Sequence, residues 1–561
     1  MSPKRVIDIL HKEIRGLHEA AYLLAFFTFG SQIFALVRDR LLAHNFGAGE
    51  TLDVFYAAFR IPDTIYALLA SMVSLFVLIP FIEAAQKKGD TALRDFLSNM
   101  FSFFSVALVL LGGIAWTFAP QIVEILYGNF SVSMQADLVT LVRILLLQPL
   151  LLGTSNLFAA YVQVRGRFLL YAIAPILYNI GIIFGIIFLY PYFGISGLAW
   201  GVVLGAIMHL GIQSPYMAMN NMVPRFVMPD WEKVIEVVKI SIPRTITLSS
   251  QQIVFLFMIS LASLFTAGSV SSFSFAWNLQ AVPLALIGVS YSVAAFPKLT
   301  HIFEKKKLDE FRDLILVASR QIIFWALPTI VFFVVLRAHI VRLVLGSGEF
   351  DWYGTRMTAA ILALFVLSLV AQGLIVLLVR ACYASGKTLV PLIMNVTSAL
   401  FTVFLAYALL HLADTGVINL TRLASIMRVE GVFSSEVLLI AMAYSAGAFL
   451  NAGLLIAYFE KKYKTVIKGL FHTSWQSLVA SVFAGYGAYL ALNLMDDIVH
   501  DVDTFIELLA QGFVAGLVGA CIWMATLIAT GNKDIVAAWT ALQSRFTRQR
   551  VGDARGPIEG N

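Results

Sequence analysis

The chain has 561 residues, 60% of them hydrophobic and only 13% charged, with a mean hydropathy of +0.85. Soluble domains carry about a quarter charged residues, so this composition excludes one and points to a bundle of membrane spans. The net charge of +6 would suit a nucleic-acid partner, but where the basic residues fall gives them another use.

Residues 1–19 mix apolar and charged positions at helical spacing and read as a cytoplasmic lead-in amphipathic helix at the membrane surface. From there the apolar runs predict about fourteen transmembrane helices of ~20 residues each. They are centred near residues 32, 70, 108, 150, 179, 205, 250, 285, 326, 369, 400, 448, 483 and 517. The first follows basic residues, as a cleaved leader would, yet the many spans behind it favour an uncleaved helix. With the amino terminus in the cytoplasm, 30 of the 39 lysines and arginines fall in the termini and the even-numbered turns. The opposite turns hold Arg337, Arg342, Arg356, Arg422 and Arg428. That asymmetry predicts a multi-pass protein with both termini cytoplasmic, and no nucleic-acid partner. The tail, residues 531–561, is polar and ends in GDARGPIEGN.

The first two spans hold the charges that matter. Arg38, Asp39 and Arg40 are consecutive near the end of an apolar segment, and Asp53, Arg60 and Asp63 follow at intervals of seven and three, on roughly one helical face. A charge at membrane depth costs several kcal/mol by most scales, so it faces a partner or a wet cavity. Arginine forks suit a phosphate group, and Arg38 and Arg60 are the candidate substrate-binding residues. Two other uses stand beside that one: three arginines facing three aspartates can neutralise one another, and Arg38 and Arg40 can snorkel to the interface. Asp39 and Asp53 are the positioning or gating candidates, with Pro62 a site where the span could bend. Arg143, in the fourth span without a nearby acid, is a further cavity candidate or a snorkelling residue. In the second half Gln251, Gln252, Asn278, Gln280 and Asn395 are polar without charge; each could line a pathway or bond a neighbouring helix.

One motif series occurs twice, displaced by about 218 residues. Phe46-Gly47-Ala48-Gly49 echoes Phe265-Thr266-Ala267-Gly268, and KKGDTALRDFL from Lys87 echoes KKKLDEFRDLI from Lys305. Ile122-Val123 with Gly128 matches Ile340-Val341 with Gly346, and Gly166-Arg167 matches Gly386-Lys387. The reading is therefore an all-α integral membrane protein with two six-helix lobes, 20–230 and 231–462, related by a pseudo-two-fold axis along the membrane normal. Two extra transmembrane helices occupy 463–530. Cys382 and Cys521 both lie in apolar stretches and suggest neither a disulfide framework nor a metal site. No phosphate-cradling lysine loop, spaced metal ligands or nucleophile-and-base set is found, so the chain reads as a transporter rather than an enzyme, with no cofactor.

The stretch RDRLLAHNFGAGETLDVFYAAFRIPD (Arg38 to Asp63) resembles the opening signature of the MurJ/MviN family of lipid II flippases. Arg38, Asp39, Phe46 to Gly49, Asp53 and Pro62 match it. The resemblance implies the multidrug/oligosaccharidyl-lipid/polysaccharide exporter fold, with a cationic cavity between the lobes and a groove for a polyprenyl tail on the last two helices. It implies translocation of an undecaprenyl-diphosphate-linked peptidoglycan precursor across the bacterial cytoplasmic membrane by alternating access, with Arg38 and Arg60 on the diphosphate. Membrane lipids are the other partners. A monomer, association with the cell-wall synthesis machinery, and a membrane potential or ion gradient as driving force accompany that reading. The chain departs from the family pattern at Gln32, Tyr66, Ala67, Ser71, Met72, Asn278 and Ala281. Three alternatives follow: another polyprenyl-diphosphate glycan, an ion-coupled multidrug exporter of the same superfamily, and a non-transporting scaffold for cell-wall enzymes.

Overall fold

The computed structural model describes residues 17–70, 75–432, 434–463, 466–498 and 504–532. Residues 1–16 of the lead-in helix, Ser71, Met72 and the tail from 533 onward lie outside the described residues. Every element among the described residues is helical. Among the described residues, eleven helices are long and apolar enough to cross a membrane, or up to twelve if the pair Trp352–Leu367 and Leu369–Ala384, bent by 47°, is one span. Outside that count stand the opening helix Leu17–Phe46 and the series Glu50–Ala58, Arg60–Ala70 and Leu75–Lys87.

The chain forms two compact units. One holds Met1–Trp277, Val344–Ile361 and Thr388–Gly447; the other holds Asn278–Leu343, Leu362–Lys387 and Ala448–Asn561.

The duplication is written in the backbone. Asp90–Thr117 and Leu308–Val335 are both 28 residues long, and the helices that follow them, Ala119–Tyr127 and Arg337–Leu345, are both 9. Two later helices end on the same stop signal. The N–H of Gly166 donates to the Gln163 carbonyl and that of Arg167 to Val162, while Gly386 donates to Tyr383 and Lys387 to Cys382, all at 2.9–3.0 Å. Both glycines have φ of +69°, the left-handed conformation that glycine adopts without steric cost and that lets the last carbonyls find donors.

Two local features shape the charged end of the first repeat. Pro62 lacks the N–H that would bond the Ala58 carbonyl, and the helix breaks at Phe59, leaving Pro62 in the first turn of Arg60–Ala70. Farther along, Gly181 and Gly185 meet Gly201 and Gly205 on the helix Ile195–Gly211 so closely that an added Cβ would strike backbone. Such small-residue contacts bring membrane helices together where lipid supplies no hydrophobic drive.

In the second unit the last two helices, Val466–Ile498 and Phe505–Ala529, pack together and on Leu308–Val335. Ser477 Oγ donates to the Phe324 carbonyl at 3.2 Å, and the Phe324 and Trp523 rings lie 5.1 Å apart. Buried Gln511 joins His339 Nε2 at 2.9 Å to Asp496.

Candidate functional site

The charged residues of the first repeat converge. Arg38 donates through Nε and Nη2 to Asp39 Oδ1 at 2.9 and 2.8 Å, and through Nη1 to Asn179 Oδ1 at 3.0 Å. Asn179 stands in Phe168–Phe184, the helix held by the glycine contacts, and its own Nδ2 donates to the Pro175 carbonyl at 3.0 Å. The guanidinium is therefore fixed from two helices, with 19% of the side chain exposed against 5% for Asp39. Tyr56 lies within electrostatic reach of Arg38, Asp39 and Arg60, and its buried hydroxyl makes no hydrogen bond. Arg60 donates Nε to the Tyr56 carbonyl at 3.1 Å and sets its guanidinium 4.5 Å above the Phe255 ring. That cation–π contact supports the charge without neutralising it. Asp63 interacts electrostatically with Arg60, and Tyr66 accepts a hydrogen bond from Asn156.

Beside this cluster the two copies of the duplicated motif touch. An added Cβ at Gly268 would strike the carbonyl of Ala48, and one at Gly47 would strike that of Glu349. The N–H of Glu349 donates to the His44 carbonyl at 2.9 Å, and Arg40 Nη1 donates to the Val344 carbonyl at 3.2 Å. Asp53 is the centre of the contact. Only 2% exposed, it accepts from the backbone N–H of Gly268 and of Ser271, both at 2.7 Å. Those N–H groups open the helix Ser269–Leu284, so Asp53 caps a helix of the other repeat, where unpaired donors and the helix dipole both favour a carboxylate.

A family profile described as MurJ, lipid II flippase, matches residues 42–511. The chain belongs to the lipid II flippase MurJ family. A probable lipid II flippase MurJ of Buchnera aphidicola subsp. Acyrthosiphon pisum is 28% identical over 67% of this chain and 74% of its own length. The lipid II flippase MurJ of Burkholderia cenocepacia is 26% identical over 67% and 75%. Among solved structures, a lipid II flippase MurJ in an inward closed conformation has a TM-score of 0.72 at 20% identity, covering 91% of this chain and 99% of that one. An inward-facing multidrug resistance MATE family transporter of the MOP superfamily has a TM-score of 0.63 at 15% identity, covering 78% and 96%. The fold is that of this superfamily, and the chain is a multi-pass membrane protein of a transporter family.

Within this MurJ-family fold the predicted site residues part company. Arg38, Asp39 and Arg60 share one neighbourhood, with Asp53 and Pro62 on the adjoining helices. Arg143 does not join them: its guanidinium lies 4.5 Å over the Trp116 ring and its Nε donates to the Trp116 carbonyl at 3.3 Å. Trp116 is half exposed, and a guanidinium resting on an exposed ring is the arrangement expected of a snorkelling arginine. Asn278 falls in the second unit and is half-buried. Sequence reasoning passed over Asn179 and Tyr56. A lone amide in FLLYAIAPILYNIGIIF was a usable signal for the first, since polar groups inside apolar spans find partners; a tyrosine beside an arginine offered none. Among the described residues no group of three or more His, Cys, Asp or Glu is placed to hold a metal ion.

Proposed function

We propose that this chain is a lipid II flippase that carries an undecaprenyl-diphosphate-linked peptidoglycan precursor from the inner to the outer leaflet of the bacterial cytoplasmic membrane. Membership of the family supports this, and so does one observation: Arg38, fixed by Asp39 and Asn179 and still partly exposed, presents a planar cation beside Tyr56 and Arg60. Arg38 and Arg60 contact the diphosphate, and Asp39 holds Arg38 in aim. Asp53 closes the contact between the repeated motifs and releases it as the protein alternates between faces. Both termini are cytoplasmic, the two six-helix lobes rock about the headgroup, and the last two helices hold the polyprenyl tail. The chain works without a cofactor, as a monomer beside the cell-wall synthesis machinery, with a membrane potential or ion gradient as its drive.

In vesicles loaded with lipid II, headgroup reaching the opposite leaflet is read with a membrane-impermeant reagent. Arg38→Ala is expected to abolish translocation with insertion intact; unchanged translocation overturns the role of Arg38. A second reading, another polyprenyl-diphosphate glycan, draws on Tyr66 and Asn278, neutral where the family favours arginine. Defined glycolipids in the same vesicles separate the two by which headgroup crosses.

A further inference from the structure

A second basic cluster lies away from Arg38, at the turns on which the repeated stop signal falls. Arg165 and Arg167 flank Gly166, and Arg94 stands one turn beyond Asp90 in the neighbouring helix Asp90–Thr117. Arg165 and Arg167 are joined to each other through aromatic rings. The Arg165 guanidinium sits 5.4 Å from the Tyr161 ring centre and that of Arg167 5.7 Å from Tyr216, whose hydroxyl accepts from Arg167 Nε at 3.3 Å. The two tyrosine rings are 6.1 Å apart. Arg165 Nη2 reaches Asp90 Oδ1 at 3.5 Å, a long contact to a carboxylate whose side chain is 78% exposed.

Some of its donors have no acceptor. Arg94 Nε, Arg165 Nε and the Tyr161 hydroxyl are buried and make no hydrogen bond. Tyr161 is fully buried, and its hydroxyl lies close to the Arg165 guanidinium without forming a well-shaped bond with it. Buried polar groups are nearly always satisfied, and the two donors left open side by side on Arg165 and Tyr161 call for a ligand that only accepts. A phosphate oxygen has that chemistry, and arginine forks match its geometry. The same stop signal in the second repeat does without the cluster: Ser385 satisfies itself on the Cys382 carbonyl at 2.9 Å, and Gly386 has nothing within 4 Å of an added Cβ. The donors are thus not a requirement of the turn.

We propose that Arg165 and Tyr161, with Arg167 beside them and Arg94 at the edge on the neighbouring helix, form a binding site for a phosphate-class oxyanion, separate from the Arg38 cluster. The site takes the phosphate of a lipid headgroup or a free phosphate, the chemistry being common to both. It stands whether or not the protein translocates lipid II.

The full chain in zwitterionic nanodiscs is unfolded by heat with sodium pyrophosphate or with sodium chloride of equal ionic strength. A parallel arm replaces pyrophosphate with undecaprenyl phosphate in the disc. Wild-type protein is expected to be stabilised by at least one probe, pyrophosphate marking a free ligand and the lipid alone a headgroup. The double variant Arg94→Gln/Arg165→Gln is expected to lose that response. Tyr161→Phe, which keeps the ring packing, is expected to weaken the apparent affinity about 3- to 10-fold and carries the test if the double variant does not fold. The response persists in an Arg38→Gln background, which separates this site from the central one. No response to either probe, a full response in both altered proteins, or a response lost in Arg38→Gln alone overturns the proposal.

Discussion

Each repeat contains a polar clamp, and the two are built differently. In the first, Arg38 binds Asp39 and the amide of Asn179. In the second, Gln372 Nε2 donates to Gln280 Oε1 at 3.0 Å and to Ser368 Oγ at 2.8 Å. Both tie helices together through a buried amide. The neutral clamp is at most 6% exposed at each of its three residues, and such a set asks nothing more of its surroundings. The charged clamp, whose three guanidinium nitrogens all donate, leaves 19% of the Arg38 side chain exposed. The duplication thus preserved helix lengths and stop signals while the chemistry of the repeats drifted apart, one clamp charged and one neutral.

The largest way to break that asymmetry is at Asp53. Asp53→Ala leaves the N–H groups of Gly268 and Ser271 buried without an acceptor, at a cost of about 2–4 kcal/mol to the contact between the motifs. Translocation is expected to fall more than tenfold, and a cysteine placed at Ala48 is expected to react faster with an impermeant maleimide. Unchanged reactivity would mean that Asp53 does not hold the contact shut. Asp53→Asn, which keeps one acceptor, falls between.

Next comes a direct exchange of character between the clamps. Arg38→Gln gives the first repeat a neutral amide like that of the second, and headgroup translocation is expected to drop at least about tenfold through loss of a charge-assisted contact. Gln280→Leu/Gln372→Leu removes both partners of the second clamp, a change that is close to neutral when the shapes fit. Ser368 keeps its bond to the Phe365 carbonyl at 2.8 Å. Stability is expected to change by less than about 1.5 kcal/mol, with translocation within about twofold of the wild type. If the leucine pair abolished translocation while the folded state stayed intact, the second clamp would be part of the binding machinery and the contrast would fail.

How much of this was legible beforehand divides along physical lines. Arg38, Asp39, Asp53 and Arg60 stood out because charge in an apolar run is costly and has to be explained. The duplicated Phe-Gly-Ala-Gly and Phe-Thr-Ala-Gly stretches were visible as copies, but nothing in a one-dimensional pattern says that copies touch. Asp53 and its two donors are more than two hundred residues apart in the chain, and helix capping across such a distance has no local signature. The contact of Arg143 with Trp116 was hidden for the same reason, since Trp116 sits on another helix. Among the described residues the helices that pass on length and apolarity alone number eleven or twelve, a number compatible with the expected fourteen spans.

The smallest expected effect tests what the repeats still share. Gly166 and Gly386 hold the same φ of +69° and the same paired hydrogen bonds. Alanine at either position must adopt a left-handed conformation at a cost of about 1–2 kcal/mol. Gly386 has open space around it, so Gly386→Ala is expected to lower stability by about that amount and no more. Gly166→Ala has the same left-handed φ to adopt and is expected to lose at least as much. Thermal unfolding of both variants in chloride makes the comparison. Repeating it with pyrophosphate present adds a discriminating difference: only Gly166 positions two arginines, so only its variant should also lose response to the anion.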